Sequence, residues 1–164
     1  YKDNVDIILC ESMSSIFEGS NASTVAKGFS ERVWLSWTNR GHQPDQLPST
    51  ENLSWAIDFS IQADVECTLL NCSHADMASN SINELKRANK FGIFANSSIF
   101  KEVDLSIATK DVDAIHNLNS ERISAKEYAM IALSWAKEGA FVVGGCCGTT
   151  DEHTREIKLL MDSN

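Results

Sequence analysis

Gly144-Gly145-Cys146-Cys147-Gly148-Thr149-Thr150 follows the apolar run Ala140-Phe141-Val142-Val143 and precedes a helix-like tail. A regular strand points neighbouring side chains to opposite faces, so two adjacent sulfurs reach one ion only where the chain leaves strand geometry. Glycines on both sides of the pair permit that departure. Thr149 and Glu152 spell a T-x-x-E capping box, which predicts a helix starting directly after the cysteines. Two readings stand side by side at this point. The pair is either half of a metal grip or two buried thiols acting as small apolar residues, since adjacent cysteines are not a C-x-x-C zinc spacing.

Working outward, short apolar runs alternate with helical periodicities along the whole chain. Strands are predicted over 5–10 (ending at Glu11), 32–38, 65–72, 91–95 (ending at Asn96) and 140–145. Between them lie helices over 14–29, with Phe17, Val25 and Phe29 inward, and from a Thr50 cap, with Leu53, Ala56, Ile57 and Ile61 inward. A third helix spans 76–89, with Ile82 and Leu85 inward. A fourth starts at the Ser124/Glu127 capping box and places Tyr128, Ile131, Ala132 and Trp135 on one face, until Gly139 ends it. The last runs over 151–161, with Ile157, Leu160 and Met161 inward. Residues 39–49, with Pro44, Pro48 and Gly41, form a loop, and the polar stretch 97–122 reads as a large loop with short helical pieces. Alternation of this kind implies right-handed crossovers and a parallel α/β sheet.

The 164 residues suffice for one domain with a real core. A net charge of -9, spread along the chain, argues against nucleic acid or an anionic membrane as partner, because both need clustered Lys and Arg. Five cysteines without repeated spacing point to a reducing compartment, the cytoplasm, rather than a disulfide scaffold. The N-x-S matches at Asn21, Asn52, Asn71 and Asn96 are discounted as glycosylation signals, because two of them sit in or at the end of predicted buried strands. The chain opens at Tyr1 and enters a strand within a few residues, from which we expect sequence upstream.

In parallel α/β folds, binding groups gather at the C-terminal ends of the strands. Here those ends carry Glu11, Thr38, Cys72, Asn96 and Cys146-Cys147. In a closed barrel one layer draws on alternate strands, so Glu11, Cys72 and the cysteine pair fall in one layer. Three thiolates match a zinc site with one position open, which suits an exogenous thiol. Zinc would hold that thiol as thiolate at neutral pH.

Asp6-Ile7-Ile8-Leu9-Cys10-Glu11, Asn71-Cys72, Phe94-Ala95-Asn96 and Gly144-Gly145-Cys146-Cys147-Gly148-Thr149-Thr150 together resemble the zinc-dependent homocysteine S-methyltransferase family. The resemblance implies a (β/α)8 TIM-type barrel, of which these five strands are the fourth to eighth. Residues 1–164 would then be a partial homocysteine-binding domain without its upstream strands. It implies Zn2+ on Cys72, Cys146 and Cys147, with Glu11 binding the homocysteine amino group and Asn96 at the pocket. From the second strand, Trp37 or Thr38 would line the pocket. The implied reaction moves a methyl group from a small donor to homocysteine sulfur, forming methionine.

Three departures leave the donor open. Ser73-His74-Ala75-Asp76 follows Cys72 where the family usually has a nearby proline, Ser97-Ser98-Ile99-Phe100 follows Asn96 where a glycine is usual, and Asp151 replaces a proline.

The competing reading is a degenerate partial barrel that binds zinc, or only packs its cysteines, without catalysis. A thiol-disulfide oxidoreductase is disfavoured, since adjacent cysteines close a strained ring. Cys10 and Cys67 are read as packing residues inside strands, and His74 as a solvent-facing loop histidine. His42, His116 and His153 are expected to lack functional partners, and Trp34, Trp37, Trp55 and Trp135 to be core or barrel-to-helix packing.

Overall fold

Five strands run parallel in one sheet and lie side by side in chain order, the two strands of a separate ribbon intervening before the last. The computed structural model describes residues 4–100 and 120–163. In chain order the elements are β1 (Ile8–Met13), α1 (Ile16–Lys27), β2 (Val33–Trp37), α2 (Leu53–Gln62), β3 (Cys67–His74), α3 (Ala75–Asn80), α4 (Ile82–Leu85), β4 (Phe91–Asn96), β5 (Ser98–Phe100), β6 (Ser120–Arg122), α5 (Ala125–Lys137), β7 (Val142–Gly145) and α6 (Asp151–Asp162). Registers such as Leu35 with Thr68, Leu70 with Ile93, and Ile93 with Val143 fix the sheet. β1 and β7 form its two edges and do not pair with each other, so the barrel is not closed by these strands.

The alternation of strand side chains separates two faces. Val33, Leu35, Trp37, Leu70, Ile93 and Ala95 pack in one core cluster with Tyr128, Ala132 and Trp135 of α5. The opposite face, the interior of the curved sheet, carries Ser36, Leu69, Asn71 and Phe94. Ile8 and Cys10 join the helix-side cluster, and beyond Cys10 the pairing of β1 with β2 shifts register before Met13.

The α5 capping box forms as expected, with Glu127 N–H donating to Ser124 Oγ and Ser124 N–H to Glu127 Oε2 at 2.9 Å. Several local expectations are corrected. α1 does not bury Phe17, Val25 and Phe29, which are 78, 63 and 53% exposed; Gly19, Ser23 and Ala26 face the sheet instead. The Trp37 indole explains this, because a Cβ at Gly19 would lie 2.4 Å from its ring and only a small-residue face fits against it. Trp37 is thus buried between α1 and α2, away from the pocket, while Trp55 is exposed.

The cap of α2 is Asn52, with Thr50 in a left-handed turn at φ 74°. The helix predicted over 76–89 breaks at Ser81, whose hydroxyl donates to backbone carbonyls and which leaves two short helices. The α6 cap is Thr150 rather than Thr149: Thr150 N–H donates to His153 Nδ1 at 3.1 Å, which buries and partners that histidine. Part of the supposed loop 97–122 is an antiparallel ribbon, β5 with β6; its remainder, with His116, lies outside the described residues.

At the N-terminal strand ends, opposite the cysteines, Glu66 accepts from Arg32 Nε (2.9 Å), Lys90 Nζ (3.2 Å) and Trp34 Nε1 (3.3 Å). The Arg32 hydrogen bond, ahead of those from Lys90 and Trp34, draws its carboxyl down to about 2. A folded-state pKa below the unfolded value contributes stability above the unfolded pKa and loses it as pH falls through the folded one. Denaturant titrations of Glu66→Gln between pH 4.5 and 2 should therefore show a shallower loss of stability than the parent. An unchanged slope would remove Glu66 from the acid response.

Candidate metal centre

Cys72 lies where the β3–β4 register shifts between Asn71 and His74, in the left-handed region at φ 52°. That twist takes its side chain out of strand alternation and toward the tip of β7. After β7 the chain is pinned to β4 by three contacts. Cys146 N–H donates to Ala95 O (2.8 Å), Ser97 N–H to Cys147 O (3.0 Å), and Cys147 N–H to Asn96 Oδ1 (3.0 Å). The Thr149 hydroxyl closes the turn onto Cys146 O at 2.7 Å. Gly148 sits at φ 78°, and a Cβ there would come within 2.7 Å of Ser97 Oγ, so both backbone sign and space demand glycine. Beneath the turn, the fully buried Tyr128 hydroxyl lies 2.8 Å from Ala95 O and 2.7 Å from Gly144 O, bracing the tips of β4 and β7. Burial, and the nearby Cys146, hold its phenol above the usual range.

The result is a convergence of three sulfurs. Cys72, Cys146 and Cys147 present Sγ atoms within 4.8 Å of one another, with Cys72 and Cys147 at 3.9 Å. Tetrahedral zinc with Zn–S bonds of ~2.3 Å sets its ligand sulfurs about 3.8 Å apart. The three thiols therefore fit such an ion with little adjustment, and adjacent Cys146 and Cys147 reach it because the turn breaks the alternation that would separate them. Burial first, then hydrogen bonding to Cys146 and the neighbouring thiols, pushes the Cys72 thiol up to about 12, against a lowering hydrogen bond from Ser12.

The other expected residues fall around this cluster. Asn96 is buried with its Oδ1 on the Cys147 amide, Glu11 is exposed at the end of β1, and Thr38 is half-buried with its N–H on Met13 O. His74 is not a solvent-facing loop residue: it is buried at the end of β3, with Nδ1 2.9 Å from Ser98 Oγ. His42 stacks on Phe100 with ring centroids 5.2 Å apart. Cys67 is buried in β3 and its thiol is pushed up to about 12 by burial; Cys10 is half-buried against the core. Sequence reasoning missed Ser12, Ser36 and Tyr128, none of which carries a metal-binding signature.

The profile of the homocysteine S-methyltransferase family matches residues 1–161. Homocysteine S-methyltransferase YbgG of Bacillus subtilis (strain 168) is 26% identical over 155 residues, covering 93% of this chain and 45% of the relative. The homocysteine methyltransferase MmuM from Escherichia coli shares the fold. Its apo form superposes with a TM-score of 0.66 at 17% identity over 95% of this chain and 49% of that one. Its metallated form gives 0.67 at 18% over 96% and 46%. The chain thus spans about half the length of the relatives it matches. With its three converging thiols and a match that runs nearly end to end, the chain belongs to the homocysteine S-methyltransferase family.

Proposed function

We propose that this chain supplies the metal- and homocysteine-binding part of a site that transfers a methyl group to homocysteine sulfur, forming methionine. The observation that carries the reading is the convergence of Cys72, Cys146 and Cys147 at the C-terminal strand ends of a chain of this family. These three residues would hold zinc and leave its fourth position open to the incoming thiol. Bound there, zinc supplies the acidity that keeps a thiol ionised at neutral pH.

The remaining work falls to the chain. Glu11, exposed near the C-terminal end of β1, would offer a carboxylate to the amino group of homocysteine. Asn96 shapes the Cys147 turn and lies at the pocket edge, and Thr38 lines it from β2. No side chain is needed as nucleophile, since the acceptor thiol fills that role. Residues 1–164 are on this reading the later half of a barrel whose earlier strands lie upstream. Five free cysteines fit a reducing compartment such as the cytoplasm, and no helix among the described residues is long and apolar enough to cross a membrane.

The competing reading is a partial barrel that binds zinc, or only packs its cysteines, without catalysis. Methionine formation by the full-length protein with zinc and homocysteine, offered S-methylmethionine or S-adenosylmethionine in turn, separates the two. Turnover with one donor that disappears in Cys146→Ala is expected. Zinc binding without turnover on any sulfonium, betaine or methylfolate donor would favour the second reading.

A further inference from the structure

One side chain joins two bulges at the C-terminal ends of the strands. In β1, Cys10 pairs with Leu35 and Met13 with Trp37, so β1 carries one residue more than β2 between these pairs. In β3, Asn71 pairs with Phe94 and His74 with Asn96, again with one residue to spare. The left-handed residues of these stretches are Ser12, at φ 61°, and Cys72, at φ 52°. A non-glycine residue takes that conformation at a cost and keeps it only where its surroundings hold it.

The group that holds the β1 bulge is the side chain of Asn71, only 1% exposed. Its Oδ1 accepts from the Ser12 backbone N–H at 3.0 Å and from Ser36 Oγ of β2 at 2.6 Å, and its Nδ2 donates to Ser12 Oγ at 2.8 Å. A backbone N–H can only donate, so the Asn71 atom it meets is the oxygen, and the amide has one orientation. That N–H belongs to the peptide joining Glu11 to Ser12. The peptide is planar, and the residues up to Cys10 are held in the ladder, so fixing its plane sets ψ of Glu11. At a bulge this, rather than strand alternation, decides where a side chain is aimed.

We infer that Asn71 is a positioning residue for the acceptor: through the Glu11–Ser12 peptide it aims the Glu11 carboxylate at the amino group of homocysteine. The inference rests on the reading of Glu11 as the partner of that amino group. Cys72, the next residue after Asn71, belongs to the three-thiol cluster. One buried amide therefore ties the carboxylate that takes the amino group to the strand end that takes the sulfur, and these are the two groups homocysteine has to span.

Equilibrium binding of homocysteine and of 4-mercaptobutyrate, the same thiol without its amino group, to the zinc-loaded full-length protein tests this. Both compounds present the same sulfur to the metal, so any loosening of Cys72 weakens both and cancels in their ratio. The parent should prefer homocysteine by about 10–100-fold, the usual worth of a hydrogen bond to a charged group. Asn71→Ser, too short to reach Ser12 but polar beside Ser36, should lose most of that preference while thermal unfolding shows it folded. Asn71→Asp keeps an oxygen for the Ser12 N–H and the Ser36 hydroxyl and should keep the preference. Glu11→Ala should lose it as well, and adding Asn71→Ser to Glu11→Ala should take nothing more from the ratio. A parental ratio in Asn71→Ser overturns the inference, as does a lost preference in Asn71→Asp or a further loss in the double variant. A parent that binds both thiols equally sinks the reading of Glu11 itself, and the inference with it.

Discussion

Alanine at Cys72 or Cys147 will remove most of the metal affinity while leaving the chain folded. The apparent affinity of structural zinc sites, about 10–16 kcal/mol over four ligands, assigns roughly 3 kcal/mol to each, or more than a hundredfold in binding. Cys147 is exposed and Cys72 half-buried at the strand ends, so truncation creates little cavity at either. Cys67→Ala is the control. It removes a fully buried sulfur from the core and should lower stability without weakening metal binding.

The same site sets the pH response. With the metal-free Cys72 thiol held up to about 12, its proton is still bound at neutral pH and must leave when metal enters. Affinity should rise with pH, by up to about tenfold per unit for each proton released, and fall in acid. Competition with a chelator across pH 6–9, for the parent and each variant, checks both statements. Full affinity in either alanine variant, or a flat pH profile, would show that the ion is held elsewhere.

What the sequence disclosed and what it hid follow different physics. Cys146, Cys147 and Gly148 were legible because two neighbouring sulfurs on one ion require a break in strand alternation, and glycine marks the break. Cys72 was legible through its place at a strand end, though β3 continues past it to His74 by way of a bulge that leaves no trace in composition. The orientation of α1 was not legible. Periodicity ranks Phe17, Val25 and Phe29 as the buried face, whereas the deciding feature is the volume of Trp37, a residue in the next strand. The cap of α6 was displaced by one residue because His153 Nδ1 serves as the acceptor that a glutamate would have provided. The β5–β6 ribbon was hidden because each strand has three residues, too few to show a period. Asn71 and Ser36 read as polar interruptions of apolar runs; their meaning depends on β1 and β3 meeting across β2, a property of sheet curvature alone.

Trp37 is where the fold is most sensitive. Its side chain is fully buried, its Nε1 donates to Ser60 Oγ at 2.9 Å, and its ring meets Phe59 edge-on at 6.3 Å. Trp37→Ala should cost about 3–5 kcal/mol, the usual range for emptying such a site. Against a total of about 5–15 kcal/mol, that is a large share of the stability. Loss of folding alone would not identify the cause, but Gly19 does. In the parent, Gly19→Ala drives a methyl to 2.4 Å from the indole and should destabilise, even though alanine is the better helix former by about 1 kcal/mol. With Trp37 replaced by leucine the obstruction is gone, and Gly19→Ala should then stabilise. Denaturant unfolding of the four proteins forms a double-mutant cycle, and this change of sign is its expected outcome. If Gly19→Ala has the same sign in both backgrounds, the indole is not what forces α1 to turn its small face inward, and the exposure of Phe17, Val25 and Phe29 needs another cause.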